Sequence, residues 1–390
     1  MNHRIKIGIE VQRILRKKKH GMEVVALELI REIQKIDNQN DYTLYCRSDV
    51  DTACVTETSN FRINVLDARY YFTWEQITLP FQVRKDCLDI LHSTCNTSAL
   101  FSKIPLILTL HDIIYLEKLD FKGTSYQNFG NIYRRLVVPR LVNKSKVIIT
   151  VSEYEKEIIL KKFPRLTSDK VKVIYNAVNK KFNTNYPVEE LNKFSRTLNL
   201  PARFMLFLGN TAPKKNTLNV IKAYVSYLDE LPSGIPLVIL DLDKASVFDV
   251  LEKLGKTNLI GHFIFPGYIP SDQMPLLYNL CTLFLYPSLR ESFGLPILEA
   301  MACGVPVITS NTSSMPEVAG DAAIFVDPYQ PISIKEAIVK LLESDSLQLY
   351  FKEKGLQRAS EFTWESSARR LIEIYQMLGT EVTRYKSTLF

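Results

Sequence analysis

The sequence predicts two doubly wound α/β domains in tandem, and three observations carry that expectation. Apolar runs of four to seven residues recur between amphipathic segments, the pattern of parallel strands covered by helices on both faces. A chain of 390 residues is too long for one ordinary domain and fits two. The series of runs also breaks once, at the polar stretch after Asn176-Ala-Val-Asn179, and then restarts. The first series places strands at residues 5–9, 42–46, 63–66, 90–93, 105–110, 147–151 and 171–175. The second places them at 204–208, 237–240, 263–266, 283–286, 305–309 and 323–326, with a boundary near residues 178–195. Ligands of such sheets bind outside the carboxyl ends of the strands, so the cleft between the domains is the expected site.

Bulk properties narrow the class. The net charge of +7 is modest but clustered in the first half: Arg13, Arg16 and Lys17 to Lys19; Arg134, Arg135, Arg140, Lys144 and Lys146; then Lys156, Lys161 and Lys162. Such clusters either solvate a helix face or hold a chain against an anionic membrane or acidic substrate. Six dispersed cysteines without a Cys-x-x-Cys pair read as reduced cytosolic thiols. A signal peptide is not expected from the polar start, and no apolar run reaches membrane-spanning length.

The loops after strands carry the candidate chemistry. No Gly-x-Gly-x-x-Gly or Gly-x-x-x-x-Gly-Lys is present, which argues against a nicotinamide dehydrogenase and a phosphate-loop ATPase. The first strand leads to His20-Gly21-Met22 and a helix from about Glu23 to Ile33. There Gly21 is either a plain turn or a place for a diphosphate to approach the backbone. His111-Asp112 closes the run 105–110; the imidazole there is either a satisfied core group or a partner for a sugar hydroxyl with Asp112 orienting its ring. His92 carries the same ambiguity. Ser152-Glu-Tyr-Glu155 has capping-box spacing and is read as structural. In the second half, Gly209-Asn210 and Lys214-Lys215-Asn216 follow a strand, where lysine reaches a phosphate as a point charge.

The densest segment is Tyr286-Pro-Ser-Leu-Arg-Glu291-Ser-Phe-Gly294-Leu-Pro-Ile-Leu-Glu299-Ala-Met-Ala-Cys-Gly304-Val-Pro-Val307. Pro296 fits the first position of a helix and Gly304 the position just past its end. Arg290 to Leu295 are then a loop at a helix N-terminus, where free amides and the dipole suit a phosphate or a ring of hydroxyls. Glu299 suits the first turn of that helix on dipole grounds, yet leans toward the N-terminus, where it could accept from a ribose diol. Glu291 precedes the helix and lacks that structural reason.

This segment resembles the retaining glycosyltransferases of family 4. The resemblance extends over nearly the whole chain, through Leu79-Pro80, His111-Asp112, Thr150-Val-Ser152, Val173-Ile-Tyr-Asn176, Phe207-Leu-Gly209, Gly267-Tyr268, Glu317-Val-Ala-Gly-Asp321 and Phe362-Thr-Trp364. It implies the GT-B fold, two Rossmann-like domains facing across a cleft. The N-terminal acceptor-binding domain is placed at 1–180 and the C-terminal nucleotide-sugar-binding domain at 181–365. A last helix at 366–390 crosses back, so that Trp364 to about Leu378 packs on the first domain.

By the same resemblance Lys215 holds the donor diphosphate, Glu299 the ribose, and Tyr268 and Ile269 the base. Backbone amides of Phe293, Gly294 and Leu295 meet the sugar hydroxyls, Glu291 lies beside the transferred sugar, His111 touches it from the other domain, and Gly21 faces the diphosphate. No divalent metal or other cofactor is expected, since basic residues and helix N-termini neutralise the leaving diphosphate. The chain departs from the family pattern twice. Asn210 stands where many relatives carry Arg, with Lys214 nearby to compensate, and the glycine-rich first loop is reduced to His20-Gly21-Met22-Glu23.

The expectation is a cytosolic retaining hexosyltransferase of surface polysaccharide synthesis, at the inner membrane face. Its partners would be a nucleotide diphosphate sugar, with GDP-mannose the first choice, and a glycan or lipid-linked glycan acceptor, with no nucleic acid. Ser271 argues mildly against guanine, although Asp272 is adjacent. A GT-B sugar-nucleotide epimerase and a degenerate, non-catalytic scaffold are the alternatives.

Overall fold

The computed structural model describes residues 4–117 and 125–387. The chain divides into two compact units. One runs from the N-terminal segment to Asn176 and includes the last helix from Trp364; the other is Ala177–Thr363.

The N-terminal unit holds a seven-stranded parallel sheet: β1 (Lys6–Glu10), β2 (Asp41–Cys46), β3 (Phe61–Val65), β4 (Ile90–Ser93), β5 (Leu106–Thr109), β6 (Val147–Thr150) and β7 (Val171–Val173), in the order β3-β2-β1-β4-β5-β6-β7. Strands β4, β5 and β6 are buried at every residue, which is why their apolar residues are consecutive rather than alternating, with His92, Ser93, Thr109 and Thr150 at their carboxyl ends. The helix Gly21–Ile36 begins earlier than the sequence suggests because Glu23 reaches back and its Oε2 accepts the His20 amide at 2.7 Å. The last helix, Trp364–Ser387, joins this unit's core. Its Leu371, Tyr375 and Leu378 share one apolar cluster with Ile30 and Ile33.

His92 is resolved as a core residue. It is buried, with Nδ1 2.7 Å from the Tyr375 hydroxyl and Nε2 2.8 Å from the Thr109 hydroxyl. Burial first, then the neighbouring His111, depresses its pKa to about 3. Ser152 caps the helix Glu153–Lys162 by accepting the Glu155 amide, and the buried Glu155 carboxylate accepts the Ile113 amide at 3.0 Å.

The second unit carries a six-stranded parallel sheet: β8 (Met205–Leu208), β9 (Leu237–Leu240), β10 (Phe263–Ile264), β11 (Leu283–Tyr286), β12 (Val307–Ser310) and β13 (Ile324–Val326), ordered β10-β9-β8-β11-β12-β13. β12 starts two residues later than the apolar run because Pro306 has no amide to donate, though its carbonyl still accepts from Phe284 at 2.9 Å. Both sheets reverse their strand order once, between β1 and β4 and between β8 and β11. These two gaps are the switch points at which doubly wound sheets bind ligands. All six cysteines are unpaired. Among the described residues no helix is long and apolar enough to cross a membrane.

Candidate active site

At the β8/β11 switch point the sequence places two loops. The loop after β8 turns through Pro213–Lys215 and enters the helix Thr217–Glu230 at Asn216. Asn216 has φ +61°, a left-handed conformation that Asn tolerates better than most residues. Its buried amide donates to the carbonyls of Pro287 at 2.9 Å and Pro328 at 2.6 Å, tying this loop to the end of β11. The Leu289 amide completes the tie by donating to the Lys214 carbonyl at 2.7 Å.

The second loop, from Pro287 to Gly294, is suspended from the end of β12. The Ser310 hydroxyl donates to the Ser288 carbonyl at 2.6 Å. Ser313 donates to the Glu291 carbonyl at 2.7 Å, and Ser314 to the Phe293 carbonyl at 2.8 Å. Gly294 then adopts φ +105° and starts the helix Leu295–Ala302. The helix begins at Leu295, so Pro296 takes its second position rather than its first; its missing amide still falls among those with no intrahelical partner. Gly304, with φ +70°, follows the end of the helix.

The two loops bring Lys214, Lys215 and Glu291 together. Lys215 Nζ lies 2.8 Å from Glu291 Oε1 and Lys214 Nζ 3.6 Å from Oε2. Lys215 also donates to the Tyr286 hydroxyl at 3.0 Å and sits 4.7 Å from the centre of that ring. Burial raises the Glu291 pKa, but the charges of Lys215 and then Lys214 outweigh it and hold the carboxyl below its ordinary value. Glu291 has no helix-dipole reason for its place, and an ion pair supplies another. A carboxylate this buried requires one, and Lys215 supplies it.

Glu299, on the following helix, behaves oppositely. Burial pushes its pKa up to about 7, against the opposing effects of Lys181 and the Tyr278 hydroxyl. Lys181 is itself anchored to the Ser271 carbonyl at 2.7 Å, in the loop that carries Tyr268 and Ile269. Tyr268 is 66 % exposed at the outer end of β10, whereas Ile269 is buried. Phe293 is also buried and packs on the Phe362 ring at 5.9 Å. Asn210 uses its side-chain oxygen to accept the Ala212 amide at 2.8 Å. It thus shapes the loop, a role an arginine there could not fill.

In the N-terminal unit, Gly21 opens its helix with no heavy atom within 4 Å of where a Cβ would stand, so protein packing does not demand glycine there. His111 is buried, and its Nε2 lies 2.9 Å from the Thr94 carbonyl. That carbonyl only accepts, so Nε2 carries the hydrogen and Nδ1 remains an acceptor. Burial lowers the His111 pKa. The anticipated orienting role of Asp112 is corrected: its Oδ1 accepts the Ile114 amide at 3.2 Å, and Thr94 holds the ring.

Several cluster lysines also bond to the protein itself. Lys19 pairs with Asp51 at 2.5 Å, and Lys144 and Lys162 donate to the carbonyls of Leu100 and Leu116. Sequence reasoning missed Tyr286, Ser313, Ser314 and Glu10. For Glu10 a signal existed, a carboxylate closing an apolar strand at its carboxyl end, the logic already applied to His111. Among the described residues no group of three or more His, Cys, Asp or Glu is placed to hold a metal.

Comparison with known proteins gives a consistent picture. The profile of the glycosyl transferases group 1 matches residues 188–358, and that of glycosyltransferase family 4 matches residues 20–182. O-antigen chain mannosyltransferase B of Escherichia coli is 32% identical over 238 residues, 61% of this chain and 62% of that protein. The serotype-specific mannosyltransferase WbdA of Escherichia coli is 29% identical over 276 residues, 70% of this chain and 33% of that protein. The match thus spans less than two thirds of the length of either relative. Among solved structures, a glycosyltransferase from Rickettsia africae superposes with a TM-score of 0.71 at 16% identity, covering 96% of this chain and 98% of that one. HepE of Anabaena in complex with UDP-glucose gives 0.71 at 18% identity, covering 96% and 100%. At these identities the likeness is one of fold.

Proposed function

Because the chain belongs to the family 4 glycosyltransferases of GT-B fold, we propose that it moves a hexose from a nucleotide diphosphate sugar to a glycan or lipid-linked glycan acceptor in polysaccharide synthesis. The observation that carries this reading is the convergence of Lys214, Lys215 and Glu291 just before the helix Leu295–Ala302. A preorganised cation beside free helix amides suits the charge of a departing diphosphate. Mannose is the proposed sugar, supported by the two mannosyltransferases among the relatives, and GDP the proposed carrier.

In this reading the diphosphate takes over Lys215 from Glu291, and the freed Glu291 carboxylate turns to the sugar. Glu299 accepts from the ribose, Tyr268 and Ile269 flank the base, and the amides of Phe293, Gly294 and Leu295 meet the sugar hydroxyls. Gly21 lets the diphosphate approach the backbone, and His111, with Nδ1 as acceptor, takes a hydrogen bond from the sugar. Retention follows if the bond from the anomeric carbon to the diphosphate breaks and the acceptor oxygen bonds on the same face. The acceptor's proton then passes to the leaving phosphate oxygen. Lysines and helix amides carry the neutralisation, so turnover is expected to survive EDTA. A peripheral contact with anionic membrane is proposed for the basic clusters, with release from liposomes at high salt as its check.

The test is a thermal-shift titration with GDP, UDP and ADP, followed by a transfer assay with GDP-mannose and NMR of the product's anomeric configuration. A ligand at 100 times its Kd stabilises by about 2.7 kcal/mol. No shift with any of the three points to a scaffold, and isomerised nucleotide sugar without acceptor points to an epimerase.

A further inference from the structure

Just inside the start of the second unit, Asn179-Lys-Lys181-Phe-Asn183 lies outside every strand and helix, yet its backbone is bonded on both sides of Lys181. The Lys181 amide donates to Asn179 Oδ1 at 3.0 Å, and its carbonyl accepts the Tyr186 hydroxyl at 2.8 Å and the Asn183 side-chain amide at 3.1 Å. The Asn183 carbonyl in turn accepts the Asn279 side-chain amide at 2.9 Å, from the helix Met274–Leu280. Phe182 is buried and meets Tyr278 of the same helix edge-on at 6.0 Å. An irregular segment held at this many points presents the Lys181 side chain from a defined place.

That side chain crosses to a part of the chain 90 residues away, where Nζ donates to the Ser271 carbonyl at 2.7 Å. Ser271 stands in the loop after β10, in which Gly267 at φ +80° turns the chain ahead of Tyr268 and Ile269. The Gln273 amide bonds within this loop, to the Pro270 carbonyl at 2.9 Å, whereas Lys181 ties it to a distant segment. Local bonds alone leave a loop free to open, and a charge-assisted bond from outside restrains it. The same ammonium acts on Glu299. Among the described residues the other titratable groups around that carboxyl are Tyr278, Tyr286 and Cys303, and burial raises the pKa of each, so all three are neutral near pH ~7. Burial raises that of Glu299 as well, and Lys181 is the charge that opposes it. One lysine thus reaches both the loop assigned to the base and the carboxylate assigned to the ribose.

We propose that Lys181 is a positioning residue for the donor's nucleoside: its ammonium pins the base-flanking loop at the Ser271 carbonyl and gives Glu299 its counter-charge, so that base and ribose meet one preorganised surface. The proposal rests on the transferase reading, which assigns Tyr268, Ile269 and Glu299 to the nucleotide. The test uses the full chain with Lys181→Met, which keeps the apolar stem and loses the charge, and Lys181→Arg, which restores the charge. GDP and UDP are titrated by calorimetry between about pH 6 and about pH 8.5, donor kinetics are run with GDP-mannose, and hydrogen exchange of the amides between Tyr268 and Gln273 is followed without ligand. Wild-type affinity should rise as pH passes through about 7, where Glu299 ionises. Lys181→Met should bind nucleotide roughly tenfold more weakly at neutral pH and raise the donor KM in proportion, with kcat at saturation within about twofold. It should also move the midpoint of the pH dependence upward and speed loop exchange about tenfold. Lys181→Arg should regain most of each.

Wild-type affinity with an unmoved midpoint in Lys181→Met, or loop exchange at the wild-type rate, overturns the proposal. If Lys181→Met fails to fold, Lys181→Gln, which keeps a donor and carries no charge, decides: weaker binding with the raised midpoint supports the proposal, and unchanged affinity overturns it. Binding of neither nucleotide by the wild type counts against the transferase reading, and loop exchange then decides the Lys181 tie by itself. Wild-type binding that is indifferent to Lys181→Met counts against the proposal alone.

Discussion

The two sheets reverse their winding at equivalent places, yet the chain puts opposite chemistry outside the two gaps. Beyond β8 and β11 the loops present paired charges: Glu291 is held ionised by Lys215 and Lys214. Beyond β1 and β4 burial works the other way on two carboxyls. Burial, reinforced by the neighbouring Glu75, pushes the Glu10 pKa up to about 8, and burial raises that of Glu75 despite four hydrogen bonds to it. The difference teaches that topology decides where a site lies and loop residues decide what it holds. A cation beside an anion suits exchange with a phosphate, whereas a carboxyl buried among hydroxyls and rings meets only neutral partners.

The sharpest way to break this contrast is Lys215→Ala, which should lower kcat/KM with a nucleotide sugar by about 10²- to 10³-fold, measured by initial rates. Glu299→Ala should weaken nucleotide binding by roughly 10- to 100-fold, the loss of a charged hydrogen bond. Calorimetry showing wild-type affinity would remove Glu299 from the ribose. Glu291→Ala and His111→Ala should show the reverse split, with turnover falling more than nucleotide affinity.

Two smaller effects sharpen the comparison through stability. Asn216→Ala removes the donor to the Pro287 carbonyl, leaves that of Pro328 to Asn219 and puts alanine at φ +61°. It should cost about 1–3 kcal/mol in denaturant unfolding and raise the donor KM, because the lysine loop loses its tie to β11. The Glu10 contrast is read in pH. Its native pKa of about 8 lies above the unfolded value, so the folded chain binds the extra proton in between. The contribution is full below pH ~4.5 and is lost as pH rises through ~8, on the order of a few kcal/mol in all. Glu10→Gln is neutral throughout, so its melting temperature should fall less than that of the wild type between pH 5 and 8.5. Parallel curves would show that Glu10 is already ionised in the native state.

Much of the fold was legible because it is local. Most of the thirteen described strands are short apolar runs, with β2, β3 and β7 mixed, and their ends moved by a residue or two where proline or the sheet edge shortened the ladder. The loop from Pro287 to Gly294 was legible for a related reason: Pro296 and Gly304 mark a helix, and the helix fixes where Glu291 and Glu299 stand in the chain. The residues that hold that loop were not legible. Ser313 and Ser314 are ordinary serines in the sequence and become supports only when β12 is laid beside β11.

The sequence by itself determined the two parallel sheets, the break between them and the loop that ends at Gly294, since apolar periodicity and Pro and Gly positions act on neighbouring residues. Only the tertiary structure decided the partners: Lys215 for Glu291, Thr94 rather than Asp112 for His111, and Glu75 beneath Tyr71 and Tyr133. The physical reason is that a buried charge or amide takes its state from whatever packing places beside it. Those neighbours come from distant stretches of chain that carry no local mark of the meeting.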